Sequence, residues 1–214
     1  MIVAKVGGAL VRGTLPALDD EVVVVHGAGP QITAEMRRRG LPVEFAGGRR
    51  VTSPAAIWVV RDALARVNRD LCEALGPRAI GLMGDEIGVE AQRVPGLGLV
   101  GSPLPCRPAA VDEALEAGLL PVVAPLAVGP LNVNADEFAA ALAAGLGAER
   151  LLFLTDVPGL LLDGEVVPEI QADAAAVLLA SGELEGGILP KLDAAVRAAR
   201  LGVSASIGET AVLA

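Results

Sequence analysis

Lysine occurs at only two positions in this chain of 214 residues, and each lies beside a pair of glycines. Lys5 precedes the glycines of "AKVGGAL", and Lys191 follows those of "EGGILPK", while arginine supplies the rest of the 17 Lys and Arg side chains. The exposed amides of a glycine turn can hold an anion, and a nearby lysine adds a compact positive charge. The two stretches therefore predict two places where the chain contacts an anionic ligand.

A third glycine-rich turn lies in "VVVVHGAGPQI", where a predicted strand leads into a helix with Pro30 in its first turn. Backbone amides at a helix N-terminus form an anion site, and here they belong to Ala28 and Gly29. His26, the only histidine, lies at the junction. We interpret it as structural, because a lone histidine at a strand end is more often a satisfied structural residue than a catalyst.

The stretch "LNVNADEF" places Asn132, Asn134 and Asp136 in alternation at the start of an alanine-rich helix. Asn134 or Asp136 can be the N-cap of that helix, which explains one of the three side chains but not all. Alternation directs the three polar groups toward one face, and an aspartate there can pair with and orient a lysine.

A further strand end is predicted in "LLFLTDVPGLLLDG", where a buried strand reaches Thr155 and turns through Pro158 and Gly159. Ligands of open α/β sheets bind beyond the carboxyl ends of the strands, so this turn is another candidate site. A plain turn without a ligand explains the same residues.

These candidate residues include no obvious general base, which restricts the chemistry. A hydroxyl acceptor of a phosphoryl group usually requires a base or a water-positioning group. A carboxylate acceptor does not, because it is already ionised at neutral pH. It needs cations and amide donors between two repelling anions. The set therefore favours phosphoryl transfer onto a carboxylate.

The elements that must position these residues alternate between short apolar strands and longer helical patterns. Several strands are apolar at every position, as in parallel sheets covered on both faces. The fold class is therefore α/β, with a mainly parallel central sheet and helices on both sides. The predicted strands are "MIVAKV", "EVVVVH", "AIGLM", "LPVVAP", "RLLFLT", "VSASI" and "TAVLA", and the predicted helices span residues 30–39, 53–75, 109–117, 135–146, 172–181 and 189–201.

The helix predicted at 53–75 is apolar over most of its circumference, which indicates burial on two sides. One side can be the sheet. The other can be either the core of the same chain or a second subunit, so a homodimer is one expectation and a central core helix is the other.

Composition excludes several classes of function. The net charge of −9 argues against a nucleic-acid groove, and the two cysteines lack metal-ligand spacing. No apolar run approaches the roughly 20 residues of a membrane span, and the N-terminus lacks signal-peptide features, so we expect a cytoplasmic protein without membrane contact. "GLGLVG" matches a dinucleotide pattern but does not join a strand to a helix, so we interpret it as a loop.

Six motifs in chain order resemble the amino acid kinase family, and they cover most of the chain. They are "KVGGA", "VVVVHGAGPQI", "GGRRVTSP", "NVNADEFAAALAAGLGAE", "LTDVPGL" and "GGILPKLDAA". The resemblance implies a three-layer αβα sandwich formed by one domain, 1–214, with an acceptor-binding lobe at 1–130 and an ATP-binding lobe at 131–214. It also implies transfer of the ATP γ-phosphoryl group to the side-chain carboxylate of N-acetyl-L-glutamate, a step of arginine biosynthesis.

The resemblance also implies roles for individual residues. Lys5 and Lys191 would stabilise the transferring group, and Asp136 would orient both lysines. Arg50 would clamp the α-carboxylate of the acceptor, for which a planar guanidinium is suited. The other acceptor- and phosphoryl-binding residues would be Gly7, Gly8, Ala28, Gly29, Asn132 and Asn134. ATP would be held by Asp156, Val157, Pro158, Gly159, Leu160, Leu161, Glu185, Gly186 and Gly187, with Mg²⁺ on its phosphates and no metal bound directly by the protein.

The chain departs from the family pattern in three places. It is short between Gly8 and the second strand, and short again between "VSASI" and "TAVLA", where the nucleotide lobe normally continues. Ala28 replaces a glycine, so a positive φ there would be strained. Two alternatives remain open: a kinase of N-acetyl-aminoadipate in lysine biosynthesis, and a non-catalytic binding protein on a degenerate kinase fold.

Overall fold

The computed structural model describes residues 1–7, 21–155 and 157–214. The strands are β1 (Ile2–Val6), β2 (Val22–His26), β3 (Phe45–Ala46), β4 (Arg49–Arg50), β5 (Ala79–Met83), β6 (Ala91–Arg93), β7 (Val100–Pro103), β8 (Leu120–Ala124), β9 (Leu126–Ala127), β10 (Leu131–Val133), β11 (Arg150–Leu154), β12 (Leu161–Leu162), β13 (Glu165–Val166), β14 (Glu169–Gln171), β15 (Ser204–Ile207) and β16 (Thr210–Leu213). The helices are α1 (Gly29–Arg38), α2 (Ala56–Leu75), α3 (Ala109–Glu116), α4 (Ala135–Leu146), α5 (Ala172–Ser181) and α6 (Ile188–Arg200).

An eight-stranded sheet forms the centre of the molecule, in the order β14-β16-β15-β11-β1-β2-β8-β5. The six strands from β15 to β5 are parallel to one another, whereas β16 is antiparallel to β15 and carries β14 parallel to itself. This arrangement confirms the mainly parallel sheet. The two central strands, β1 and β2, are buried at every position, as their uninterrupted apolar sequences predict.

The helices cover both faces of this sheet. Val3 and Val23 belong to the same buried cluster as Ala139 of α4 and Ala195 of α6. The next residue of β1, Ala4, points the other way and packs in a cluster with Leu71 of α2. The two-residue period of the strands therefore supplies each helical layer with its own apolar surface, and the three-layer αβα architecture is confirmed.

Helix α2 begins three residues later than predicted. The Ser53 hydroxyl accepts a hydrogen bond from the Ala56 amide at 3.1 Å, so the serine lies before the helix and satisfies one of its free donors. The helix is not enclosed on all sides within the chain, because Trp58 is 58% exposed. The expected homodimer remains a prediction.

Several short elements were not predicted from the sequence. They are the four-stranded sheet β6-β7-β10-β9, the hairpins β3–β4 and β12–β13, and the edge strand β14. The "GLGLVG" stretch joins the antiparallel strands β6 and β7, with its last two residues in β7, so it is not a strand-to-helix turn. Within the described ranges, no helix has both the length and the apolar character that crossing a membrane requires.

Candidate active site

A cavity of about 380 Å³ opens at the carboxyl ends of β1 and β2. The starts of α1, α4 and α6 and the β3–β4 hairpin are among the parts of the chain that line it. Nine of the residues predicted for the site line this one cavity: Lys5, Gly7, Ala28, Gly29, Arg50, Asn132, Asn134, Asp136 and Lys191. The sequence separates these residues widely, and the parallel sheet brings them together.

Asp136 holds both lysines of the chain. Its Oδ1 lies 2.7 Å from Lys5 Nζ, and its Oδ2 lies 3.3 Å from Lys191 Nζ. The side chains of Lys5 and Asp136 are 9% and 7% exposed, and that of Lys191 is 14% exposed. A single carboxylate therefore fixes two ammonium groups at the wall of the cavity, where little water screens their charge.

The first turn of α4 explains how Asp136 becomes available to the lysines. Asn134 is the N-cap, and its side-chain oxygen accepts hydrogen bonds from the amides of Asp136 at 2.8 Å and Glu137 at 3.3 Å. Since Asn134 takes the capping role, the carboxylate of Asp136 is not needed for it. Of the two N-cap candidates in the sequence, Asn134 is the one that the structure uses.

Burial lowers the pKa of Lys5 below its usual value, because desolvation disfavours the charged amine. The carboxylate of Asp136 opposes this effect, and the charge of Lys191 adds to it. Two like charges are thus held together by one opposite charge. A further anion in the cavity would relieve the repulsion between them.

Arg50 is a buried cation that has only neutral polar partners among the described residues. Its Nη2 donates to Gly29 O at 3.1 Å and to Thr33 Oγ1 at 2.8 Å, and its guanidinium carbon lies 4.6 Å from the centroid of the Phe45 ring. Arg50 is only 6% exposed, and burial lowers its pKa. A buried guanidinium without a carboxylate partner is well suited to bind the carboxylate of a ligand.

The β3–β4 hairpin places Arg50 at the cavity. Its two-residue turn consists of Gly47 and Gly48, with φ angles of 54° and 74°. Positive φ at both central residues is what a tight two-residue hairpin turn of the I′ type requires, and glycine reaches it without a steric cost. Phe45 pairs with Arg50 across the hairpin, which explains how the ring comes to face the guanidinium.

Asn132 is fixed through Thr52. The Asn132 Nδ2 donates to Thr52 Oγ1 at 3.0 Å, and that hydroxyl donates to Arg50 O at 2.9 Å. Thr52 is fully buried. The threonine thus links the amide of Asn132 to the main chain of Arg50, and both side chains line the same cavity.

Helix α1 begins at the cavity with free amides. Ala28 is the N-cap and has no side-chain hydrogen bond to the helix, so the first amides of α1 remain available to an anion. The φ of Ala28 is −140°, outside the left-handed region. The strain expected for alanine at this position is therefore absent, and the substitution of the family's glycine has no backbone cost here.

His26 does not line the cavity. It is 1% exposed, with Nδ1 lying 3.4 Å from Gly27 O and Nε2 accepting from Asn68 Nδ2 at 3.1 Å. Burial lowers the pKa of His26 to about 4, opposed by the hydrogen bond to Gly27 and reinforced by the charge of Lys5. The imidazole is therefore neutral near pH 7, as expected of a structural histidine.

None of the described residues that were predicted to bind ATP lines this cavity. Pro158 O accepts from the amide of Glu209 at 2.8 Å, and the Leu160 amide donates to Thr210 Oγ1 at 2.8 Å. These hydrogen bonds join the β15–β16 turn and the start of β16 to the 157–160 segment. The β15–β16 turn is the second place at which the chain is shorter than the family pattern. Gly187 is the N-cap of α6, and Lys191 lies in its first turns. Gly8 and Asp156 lie outside the described residues.

Direct metal binding by side chains has no support in the described part of the chain. No group of three or more His, Cys, Asp or Glu side chains there could hold a metal ion. Asp136 is the acid among the described residues that line the cavity, and each of its two oxygens is paired with a lysine.

Several residues of the site were not predicted from the sequence. Phe45, Gly48, Arg49 and Thr155 also line the cavity, and Thr52 lies behind it. The "GG" of "FAGGRR" is a recognisable hairpin signal, because paired glycines favour the I′ turn. No local signal connects Thr52 with Asn132, since that contact depends on how β10 is placed.

Known proteins resemble this chain over most of its length. The amino acid kinase family matches residues 1–208. The acetylglutamate kinase of Rubrobacter xylanophilus is 43% identical, over 96% of this chain and 87% of the relative, and that of Chloroflexus aggregans is 39% identical, over 90% and 81%.

Solved structures share the fold over almost the whole chain. The smu.665 protein of Streptococcus mutans has a TM-score of 0.88 at 27% identity, and covers 99% of this chain and 98% of its own. Carbamate kinase from Giardia lamblia has a TM-score of 0.72 at 15% identity, covering 99% and 97%. This chain belongs to the amino acid kinase family, and the two relatives named above are acetylglutamate kinases.

Proposed function

We propose that this protein is an acetylglutamate kinase, an enzyme that transfers the γ-phosphoryl group of ATP to the side-chain carboxylate of N-acetyl-L-glutamate. The product would be N-acetyl-glutamyl 5-phosphate, in arginine biosynthesis. The observation that carries the proposal is the pairing of both lysines with Asp136, in the same cavity as a buried arginine that has no acidic partner among the described residues. The names of its relatives support the same activity.

Arg50 and Asn132 would bind the acceptor. The guanidinium would clamp the α-carboxylate, exchanging its neutral partners Gly29 O and Thr33 Oγ1 for a charge-assisted contact. Asn132, oriented by Thr52, would contribute its amide group, and Asn134 would border the same site. The side-chain carboxylate of the acceptor would then point toward Lys5 and the free amides of α1.

Phosphoryl transfer would proceed without a general base. An oxygen of the acceptor carboxylate forms a bond to the γ-phosphorus, the bond from that phosphorus to the bridging oxygen breaks, and ADP leaves with the electron pair. Lys5 and Lys191, with the amides of Gly8, Ala28 and Gly29, would neutralise the charge on the phosphoryl oxygens. Each such donor typically lowers the barrier by about 3–4 kcal/mol. The Gly7 amide donates to Leu154 O at 3.3 Å, so Gly7 would border the site without supplying a donor.

ATP, the co-substrate of this kinase family, would lie beyond Lys191. Its contacts would come from Asp156, Val157, Pro158, Gly159, Leu160, Leu161, Glu185, Gly186 and Gly187. Because Asp136 is engaged by two lysines, Mg²⁺ would be held by the phosphates and not by a protein cage. The ion would supply charge neutralisation to the phosphates of ATP.

The proposal extends to the organisation of the protein. Residues 1–130 would form the acceptor-binding lobe and 131–214 the ATP-binding lobe. The enzyme would act as a cytoplasmic homodimer, for which the exposed Trp58 of α2 is a candidate contact.

A hydroxylamine-trapping assay tests the proposal directly. Purified protein is incubated with Mg-ATP and with N-acetyl-L-glutamate, N-acetyl-L-aspartate or N-acetyl-L-aminoadipate, and both acyl hydroxamate and ADP are measured. With N-acetyl-L-glutamate we expect acyl hydroxamate and ADP to form in equal amounts. The Lys5→Met variant, prepared in parallel, controls for contaminating kinases, because it removes one of the two catalytic charges.

Three results would contradict the proposal in different ways. Hydroxamate from the aminoadipate derivative alone would reassign the acceptor, which differs by one methylene. Equal activity in the Lys5→Met preparation would attribute turnover to a contaminant. ATP binding without product from any of these acceptors would indicate a non-catalytic binding protein.

A further inference from the structure

Glu137 forms an ion pair that joins the hairpin over the cavity to the helix that holds the lysines. Its Oε1 accepts from Arg49 Nε at 2.8 Å, and its Oε2 accepts from Arg49 Nη2 at 2.7 Å. The side chains of Arg49 and Glu137 are 20% and 10% exposed, and 88 residues separate them in sequence. A two-point contact of this kind fixes both distance and orientation.

Helix capping does not account for this glutamate. Glu137 is three residues after the N-cap Asn134, the position at which a capping-box glutamate turns back to the N-cap amide. Here both carboxylate oxygens accept from Arg49 instead. The acid therefore faces the hairpin and not the end of its own helix.

The hairpin needs such a contact because it has little structure of its own. Each strand has two residues, and an isolated two-stranded hairpin is at best marginally stable in water. Phe45 is 58% exposed, and the Asn134 Nδ2 lies 3.5 Å from Gly48 O, at the limit of a hydrogen bond. Arg50 adds a link, but its partners Gly29 O and Thr33 Oγ1 are those that an acceptor carboxylate would replace. Thr52, two residues after β4, donates its amide to Leu97 O at 3.0 Å and so fixes the base of the hairpin, not its turn.

We propose that Glu137 is a positioning residue for the acceptor site: by holding Arg49, it keeps the β3–β4 hairpin over the cavity and leaves Arg50 free to bind the carboxylate. This inference rests on the proposed function of the site. Arg49 lines the same cavity, so the ion pair also removes a second guanidinium that would compete for the anion. Glu137 follows Asp136 directly, and the first turn of α4 thus fixes the catalytic lysines and the acceptor clamp together.

The Glu137→Gln variant, which keeps the size of the side chain, tests the inference. If the hairpin is held in place only about one tenth of the time without the ion pair, the apparent affinity for the acceptor falls to about one tenth of its value. We expect a roughly tenfold rise in KM for N-acetyl-L-glutamate, with kcat and the KM for ATP within about twofold of the parent. Arg49→Met should give a similar rise, and combining the two changes should add little to either one.

Asp112→Asn is the matched control. Asp112 is likewise an acid in the first turn of a helix, and its Oδ2 accepts from Arg107 Nε at 2.8 Å, but it does not line the cavity. If the loss of a charge near a helix end were the cause, both variants would change the acceptor KM. If the contact with the hairpin is the cause, only Glu137→Gln should change it.

Hydrogen exchange in the ligand-free protein gives a second readout that does not depend on turnover. The amides of residues 44–51 should exchange several-fold faster in Glu137→Gln than in the parent, and at the rate of the parent in Asp112→Asn. An unaltered acceptor KM or unaltered exchange of the hairpin would overturn the inference, as would a fall in kcat at constant KM. If the parent shows no kinase activity, the proposed function fails, while the exchange experiment still decides whether Glu137 holds the hairpin.

Discussion

Mild acid should destabilise this protein through His26. Burial lowers the pKa of this histidine to about 4, from 6.5 in an unfolded chain. Between these two values the unfolded state binds a proton that the folded state does not. The free energy of unfolding therefore falls as the pH decreases through this window, and the contribution of His26 is constant above pH 6.5 and below pH 4.

The magnitude follows from the two pKa values. One pKa unit corresponds to about 1.36 kcal/mol, so the full window from 6.5 to about 4 is worth about 3 kcal/mol. Most of this, about 2 kcal/mol, is lost between pH 7 and pH 5. A loss of this size is substantial for a domain whose free energy of unfolding is typically 5–15 kcal/mol.

Urea unfolding followed by far-ultraviolet circular dichroism measures the effect. The free energy of unfolding is determined at pH 7 and pH 5 for the parent and for His26→Gln, which cannot titrate. We expect the parent to lose about 2 kcal/mol more than the variant over this interval. The carboxylates titrate in both proteins and cancel in the comparison. Equal losses would show that the folded imidazole accepts a proton without cost, and would refute the account of its burial.

Three further predictions concern the site. Lys191→Ala should lower kcat about 100- to 1,000-fold while the acceptor KM changes little; equal losses in both would show that Lys191 only binds substrate. Arg50→Lys keeps the charge but not the fork, so the acceptor KM should rise at least tenfold with the ATP KM unchanged, whereas an unchanged acceptor KM would remove Arg50 from the binding site. Gly48→Ala places a side chain at a φ of 74° and should cost about 1–2 kcal/mol of stability with a raised acceptor KM. Gly164→Ala, at a φ of 84° in the β12–β13 turn, should cost similar stability without changing that KM, and parallel KM changes in both would contradict a local effect.

The large elements could be predicted because their patterns are long or uninterrupted. Helices α4 and α5 have the bounds that their sequences indicate, and β1 and β2 are the buried parallel strands that their apolar runs imply. The strands β3, β4, β9, β12 and β13, in contrast, have only two residues each. A period of two residues cannot be recognised in so short a segment, so these elements depend on tertiary contacts that no local pattern reports.

In the site, too, local patterns could be predicted from the sequence and tertiary contacts could not. Lys5 and Gly7 share a face of β1 by simple alternation, and both line the cavity. The contact between Arg49 and Glu137 could not be predicted, because both types of residue are common on solvated surfaces and nothing in the sequence relates positions 88 residues apart. The choice between Asn134 and Asp136 as N-cap was also open, and it was decided by which side chain faces the lysines.

The contacts of the basic residues suggest why lysine is kept where it is. Arg49 uses the planar fork of its guanidinium to bind both oxygens of Glu137, and Arg50 presents the same kind of fork to the cavity. Asp136 instead accepts a different lysine on each oxygen. Two guanidinium groups would compete for both oxygens of the single Asp136 carboxylate. Two compact ammonium groups can share it, one on each oxygen, and still direct other N–H donors at an anionic ligand. A phosphoryl group moving between two oxygens requires charges that can follow it, and the chain retains lysine at the two positions where this requirement would apply.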